Sequence, residues 1–139
     1  MPNKYKYYSP VRVRYVETDA QGHVFFGHYY TYFDIAMMDY MQAIGYSYQD
    51  LLTDGMDLLY VESLCRHHAP AYYDEVLNVH TRIANIGDSS LTWEFSIHKE
   101  ASHQLVATGH IVVVNVDKDA RRPMRVPDAL RRAVKQYEK

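Results

Sequence analysis

Residues 15–44 read YVETDAQGHVFFGHYYTYFDIAMMDYMQAI. The stretch runs from an extended segment through a carboxylate-bearing turn, Thr18-Asp19-Ala20-Gln21-Gly22, into one long helix with little polar surface. Asp and Gly mark the turn, Asp by bonding its own backbone and Gly by accepting a left-handed conformation. The helix is expected from Phe26 to just before Gly45, a residue suited to the left-handed stop. With about 3.6 residues per turn, His28, Thr31, Asp39 and Gln42 share one narrow side, on which Ile35 and Met38 intrude. Tyr29, Tyr32, Phe33, Met37, Tyr40 and Met41 lie on a wide opposite face with Ala36 and Ile44. A helix this apolar has to be wrapped by something.

The remainder of the chain reads as that wrapper. Met1–Pro10 is expected as a short polar lead-in, followed by a half-exposed strand in which Val11, Val13 and Tyr15 alternate with Arg12 and Arg14. Residues 46–53 suggest a short helical turn, and Asp54-Gly55 a break. From Leu58 the period becomes two. Strands are expected over 58–68, 76–86, 91–98 and 105–116, with Gly87-Asp88 as a hairpin signal. The last strand, apolar on both faces towards its end, is expected to be central. Asp128–Tyr137 closes the chain as a helix behind Pro127. Short loops favour an antiparallel meander, because parallel strands need long crossovers. The expected fold is α+β, within one domain over 1–139: a long central helix wrapped by a curved antiparallel sheet of about five strands, then a short C-terminal helix.

Composition narrows the function classes. A chain of 139 residues with 47% hydrophobic and 23% charged residues is long and apolar enough for a real core. A net charge of −2 argues weakly against nucleic acid as the main partner, since no basic surplus exists to neutralise phosphates. Cys65 is the only cysteine, which rules out an internal disulfide framework and fits a reducing cytoplasm. No N-terminal apolar run resembles a signal peptide, and no stretch has the length and apolarity of a membrane span. Fourteen tyrosines stand against four phenylalanines, a bias suited to half-wet surfaces such as interfaces and pocket mouths.

Asp19 is the leading candidate for chemistry. A lone turn aspartate ordinarily bonds only its own backbone. Here a helix follows within a few residues, and the free N–H groups of a helix start stabilise developing negative charge. A carboxylate beside such groups could serve as general base on water, or as nucleophile, towards a carbonyl that they polarise. No serine, cysteine or lysine competes in this stretch.

Arg14-Tyr15-Val16-Glu17-Thr18-Asp19-Ala20-Gln21-Gly22-His23-Val24, with Tyr29, Tyr32-Phe33-Asp34 and Ala36, resembles the entry motif of hotdog-fold acyl-CoA thioesterases of the 4-hydroxybenzoyl-CoA and Tol–Pal-associated type. Ala69-Pro70-Ala71, Asp74-Glu75, Val114-Asn115-Val116-Asp117, Arg122-Pro123 and Pro127 add to it, so the resemblance runs from about Val11 to Pro127. It implies the hotdog fold, hydrolysis of an acyl thioester to free acid and coenzyme A, Asp19 as the catalytic carboxylate, and the Phe26 amide as oxyanion donor. It further implies a site at a homodimer interface, often in a dimer of dimers and so a homotetramer, and no metal or organic cofactor. The chain departs from its relatives at Phe25 and Phe26, where they often carry Tyr, His or Asn. His23 and His28 are the candidate replacements for that missing polar group.

Rival residues have plainer readings. Asp34, near the polar side of the helix, is the runner-up carboxylate, because another hotdog branch uses an acid from this helix. Glu62 is expected to pair with Arg66 on its own strand face. His67 and His68 are adjacent on a strand, point to opposite faces and cannot chelate together. Lys118, Arg121, Arg122 and Arg125 form the densest basic cluster, readable either as a solvated loop or as a dock for the coenzyme phosphates. Arg66 and Arg82 are weaker alternatives. Tyr29, Tyr32, Tyr60, Tyr72 and Tyr73 could line an acyl pocket. A hotdog hydratase or dehydratase using His23 with Glu62, and a non-catalytic acyl-CoA-binding protein, are the competing functions.

Overall fold

A computed structural model describes residues 4–139. Strand β1 (Tyr7–Arg12) leads through a short 3-10 turn (Tyr15–Glu17) and the Asp19 turn into helix α1 (His28–Ala43). Helix α2 (Tyr48–Thr53), strands β2 (Met56–His67), β3 (Val76–Ile86), β4 (Ser90–Lys99) and β5 (Leu105–Asp117), and helix α3 (Asp128–Glu138) follow. The five strands form one antiparallel sheet in the order β1-β3-β4-β5-β2, with α1 against its inner face. This is the α+β architecture expected from the sequence, with its long helix, five strands and short closing helix.

Three boundaries differ from expectation, each for a local reason. Tyr7–Pro10, expected as a lead-in, is the first part of β1, because Tyr7 to Arg12 pair in unbroken register with Thr81 to Val76. Residues 4–6 precede the strand without regular structure, and residues 1–3 of that lead-in lie outside the described residues. Tyr15 is not in a strand; the chain turns there, with Glu17 N–H donating to the Arg14 carbonyl at 2.9 Å. Helix α1 starts at His28 rather than Phe26, since Gly27 caps it and the His28 N–H donates to the Phe25 carbonyl at 2.9 Å. Strand β5 is flanked on both sides, as its apolar faces suggest, but the middle strand is β4.

The stops behave as the sequence indicates. Gly45 ends α1 with φ of 89°, in the left-handed region that costs glycine little. Ser47 caps α2 by accepting from the Asp50 N–H at 3.0 Å, while Asp50 accepts from the Ser47 N–H at 2.9 Å.

The core lies between α1 and the sheet. Phe33 stacks on Phe95 of β4 with centroids 4.2 Å apart, and Tyr40 meets Trp93 edge-on at 5.2 Å. All four side chains are buried, and each such burial contributes on the order of 1.5–3 kcal/mol. Gly109 of β5 makes room for this contact: a Cβ there would lie 2.8 Å from the Phe33 ring and would collide with the Leu64 carbonyl oxygen. Among the described residues, no helix is long and apolar enough to cross a membrane.

Replacing Gly109 with alanine should therefore destabilise the protein by about 1–3 kcal/mol through overpacking. Urea unfolding would show this as a lower midpoint at unchanged slope; an unchanged midpoint would mean that β2 or Phe33 yields freely.

Candidate active site

The turn before α1 is built from the backbone outward. Asp19 N–H donates to the His23 carbonyl at 3.0 Å, and Gly22 N–H to the Asp19 carbonyl at 2.9 Å, with Gly22 at φ of 85°. The Asp19 side chain accepts from the Gln21 N–H at 2.9 Å, leaving its second oxygen without a protein partner among the described residues. Thr18 bridges to Val24 and His23 to Tyr72, and the Val24 N–H donates to Ala71, so the turn lies against the loop after β2.

One residue that sequence reasoning passed over holds this turn to the helix. Glu17 is only 2% exposed. Its carboxylate accepts from the Arg14 N–H at 2.9 Å, from Arg14 Nε at 2.8 Å and from the Tyr32 hydroxyl at 2.8 Å. Its carbonyl takes the Phe25 N–H at 2.9 Å. Burial works to raise the Glu17 pKa, but the hydrogen bonds from Arg14 and Tyr32, with the Arg14 charge, outweigh it and hold the group below its ordinary value. Tyr32 is therefore a fully buried clamp on Glu17 and not a pocket-lining residue. The only sequence signal was the i, i+3 spacing of Arg14 and Glu17, which resembles a capping pair; nothing local announces Tyr32.

Just ahead of the start of α1, the Phe26 and Gly27 N–H groups have no acceptor among the described residues. Phe26 is 64% exposed and lies tilted against Phe25 with ring centroids 4.7 Å apart, and Phe25 sits edge-on to His28 at 5.9 Å. Beside Phe26 opens a cleft of about 360 Å³ lined by His23, Val24, Phe26, Tyr29 and the 67–70 segment. The His23 ring donates from Nδ1 to the Val24 carbonyl at 3.1 Å, which leaves Nε2 as an acceptor. The Tyr29 hydroxyl pKa is pushed up to about 12, first by burial and then by the negative charges of its surroundings, Asp19 among them, against the Ala71 amide. Asp19 thus stands close enough to act electrostatically on Tyr29, although it does not line the cleft itself.

Other candidates are dispersed. Asp34 lies eight residues along α1 from Phe26, roughly 12 Å down the helix axis, and accepts from the Tyr60 hydroxyl at 3.1 Å. Glu62 pairs with His110 at 3.0 Å rather than with Arg66; His110 lies diagonally across the strand pair, two positions along β5 from Val112, the residue directly opposite Glu62. That engagement separates Glu62 from His23. The basic residues follow β5 at the end of the sheet away from the cleft. Lys118 donates from Nζ to the Leu52 carbonyl at 3.3 Å, and Arg125 reaches Asp88 at 3.5 Å and Asp128 at 3.4 Å. Arg121 and Arg122 have no acidic partner among the described residues. Among the described residues, no group of three or more His, Cys, Asp or Glu side chains could hold a metal ion.

The sheet order, the wrapped helix and the open amides at its start define a hotdog-type protein, and the chain belongs to the thioesterase-like superfamily, whose family model matches residues 13–134. Among individual proteins, it is 28% identical over 121 residues to the acyl-CoA thioester hydrolase YbgC of Escherichia coli, covering 87% of this chain and 90% of that one. The solved structure of the PA5185 protein from Pseudomonas aeruginosa superposes with a TM-score of 0.85 at 29% identity, over 96% of this chain and 92% of that one. A DHNA-CoA thioesterase from Staphylococcus aureus shares the fold with a TM-score of 0.87 at 23% identity, over 93% and 88% of the two chains.

Glu17→Gln should cost about 1–3 kcal/mol of stability at neutral pH, the usual range for a buried hydrogen-bonding group whose partners are left poorly satisfied. Because the folded Glu17 pKa is depressed, its contribution is complete above the unfolded carboxylate value and is lost as pH falls through the folded one. Urea midpoints of wild type and Glu17→Gln should therefore converge in acid; a gap that persists there would remove the charge from the account.

Proposed function

We propose that this protein is an acyl-CoA thioesterase that hydrolyses an acyl thioester to the free acid and coenzyme A. The observation that carries the reading is the Phe26 N–H at the rim of the cleft, which has no acceptor among the described residues. Membership of the thioesterase-like superfamily and the YbgC relative support the reaction class.

In this reading the thioester carbonyl lies against the Phe26 amide, at the start of α1 where partial positive charge is fixed in place. Asp19 takes a proton from water, and the resulting hydroxide adds to the carbonyl carbon. The tetrahedral oxyanion is held by the Phe26 N–H. Its collapse breaks the carbon–sulfur bond, and the departing thiolate recovers the proton from Asp19. Direct attack by Asp19 is the other route; it gives a mixed anhydride that water then cleaves, and uses the same two groups. His23 Nε2, an acceptor in the cleft, orients the water that the Phe25–Phe26 pair cannot. Tyr29 forms the cleft wall, and its protonated hydroxyl adds no charge. The chemistry draws on no metal or organic cofactor.

Arg121 and Arg122, without acidic partners among the described residues, are the cations best suited to bind the coenzyme phosphates, with Lys118 beside them; Arg125 is already engaged by Asp88 and Asp128. The protein acts as a homo-oligomer, a dimer or dimer of dimers, in the cytoplasm, where Cys65 stays reduced.

Thiol release measured across short, long, branched and aromatic acyl-CoAs tests the assignment. Asp19→Asn should lower kcat by about 10²–10⁴-fold with little change in KM. Full activity in that variant would sink Asp19 as the reacting carboxylate, and binding without turnover by wild type on every substrate would sink the enzyme reading.

A further inference from the structure

We infer that the protein carries a second reactive centre on the far face of its sheet: Ser96 is the nucleophile and His98 its base, acting on small carboxylic esters whose acyl part ends in a carboxylate. This centre stands apart from the Asp19 turn and does not depend on the thioesterase reading.

The strand period sets the face. Phe95 stacks on Phe33 of α1, so its neighbour Ser96 points away from the helix. A cleft of about 330 Å³ opens there, lined by Lys4, Tyr5, Arg66, Glu94, Ser96 and Thr108 among others. Register places Ser96 opposite Thr108, and Thr108 opposite Arg66. The three side chains therefore share this face in one row across β4, β5 and β2. None of them lines the cleft beside Phe26.

The chemistry follows from one imidazole. His98 Nδ1 lies 3.2 Å from the His103 carbonyl, which can only accept, so Nδ1 carries the ring proton. Nε2 is then the acceptor, and the Ser96 hydroxyl donates to it at 2.8 Å. A nucleophile, a base within hydrogen-bond reach and a third group that orients the base are the parts of an activated hydroxyl. The orienting carbonyl is itself held, because His103 sits at φ of 64° and its N–H donates to the Lys99 carbonyl at 2.8 Å. The neighbouring imidazole does not interfere. His80 lies edge-on to His98 at 5.4 Å, against the rings of Tyr5 and Tyr8. Burial, then the charge of His98, lowers the His80 pKa to about 4, so near neutral pH it sets no positive charge against protonation of His98.

Charge selects the substrate. Lys4 and Arg82 both reach Glu94, at 3.3 and 3.0 Å, whereas Arg66 has no acidic partner among the described residues. Two strand spacings separate Arg66 from Ser96, roughly 10 Å between backbones. A short acyl chain fits that gap with its ester carbonyl at Ser96 and its terminal carboxylate at the guanidinium, which matches a carboxylate in bidentate fashion. Ser96 Oγ bonds to the ester carbon as its proton passes to His98 Nε2. The bond from that carbon to the alcohol oxygen breaks, and His98 returns the proton to the departing alkoxide. Water then adds to the acyl-serine and gives its proton to His98, which restores it to Ser96 as the diacid leaves.

Two probes test this on full-length protein carrying Asp19→Asn. Diisopropyl fluorophosphate, which exchanges its fluoride for a serine oxygen, should label the protein once, at Ser96, as read by peptide mass spectrometry. Adding Ser96→Ala should abolish the label, and adding His98→Gln should slow labelling by about 10²–10⁴-fold. The second probe is release of para-nitrophenol from its adipate monoester and from its hexanoate ester. The adipate monoester should be the better substrate, and Arg66→Ala should raise its KM about tenfold, as expected when charged hydrogen bonds are lost, without changing that of the hexanoate. In otherwise wild-type protein, Ser96→Ala should leave thiol release from acyl-CoA unchanged. Should Ser96→Ala fail to fold, the labelled position in its parent and the rate in His98→Gln still decide. No label at Ser96, or labelling of His98→Gln at the parent rate, overturns the proposal. Equal use of the two esters, or an Arg66→Ala variant with unchanged KM, overturns the substrate class.

Discussion

The packing of Phe33 between α1 and the sheet is the contact on which the rest of the structure depends. The ring lies flat on Phe95 and close to the backbone of Gly109, so α1 can sit low in the curve of the sheet and bury its apolar circumference. Larger side chains fill the same interface along the helix, ending with Tyr40 against Trp93. With α1 fixed at that depth, its N-terminal end emerges at one end of the sheet and its free amides face solvent. The position of the cleft follows from this packing.

A second constraint sets what stands beside those amides. Glu17 ties the preceding turn to α1 through its carboxylate to Tyr32, and to the segment just ahead of the helix through its carbonyl to the Phe25 N–H. The hydrogen bonds from Arg14 and Tyr32, with the Arg14 charge added, favour the ionised form of this buried acid. A buried ionised group is costly unless its hydrogen bonds are satisfied, and here they are. The turn is thereby held with little freedom, and Asp19 is carried at a set place on it. Two carboxylates two residues apart consequently differ: Glu17 is buried and fully engaged, and Asp19 keeps one oxygen without a protein partner among the described residues.

Much of this was legible from residue patterns. The long apolar helix implied a wrapper, period-two alternation supplied four of the strands, and Gly45, Gly87-Asp88 and Pro127 marked real boundaries because backbone conformation constrains those residues locally. What was missed depends on distant partners. Tyr7–Pro10 looked polar yet pairs with β3, whose register no local pattern discloses. Glu62 appeared matched to Arg66 along its own strand, whereas the neighbouring strand places His110 closer. Tyr32 looked like one more apolar-face residue until Glu17, fifteen positions earlier, folded back onto its hydroxyl. The basic loop was recognised as a cluster, but its remoteness from Asp19 became visible only once β2 and β5 were laid antiparallel along their full length.

The central claim is that the open start of α1 polarises a thioester carbonyl that Asp19 then brings to hydrolysis. Infrared spectroscopy of an acyl-CoA labelled with a heavy isotope at the carbonyl carbon, bound to Asp19→Asn so that turnover is slow, reads that polarisation directly. The account predicts a carbonyl stretch at lower frequency in the complex than in solution, because an amide hydrogen bond weakens the carbon–oxygen double bond. A stretch unshifted in a saturated complex would contradict it, since the thioester would then be bound without contact with the Phe26 amide.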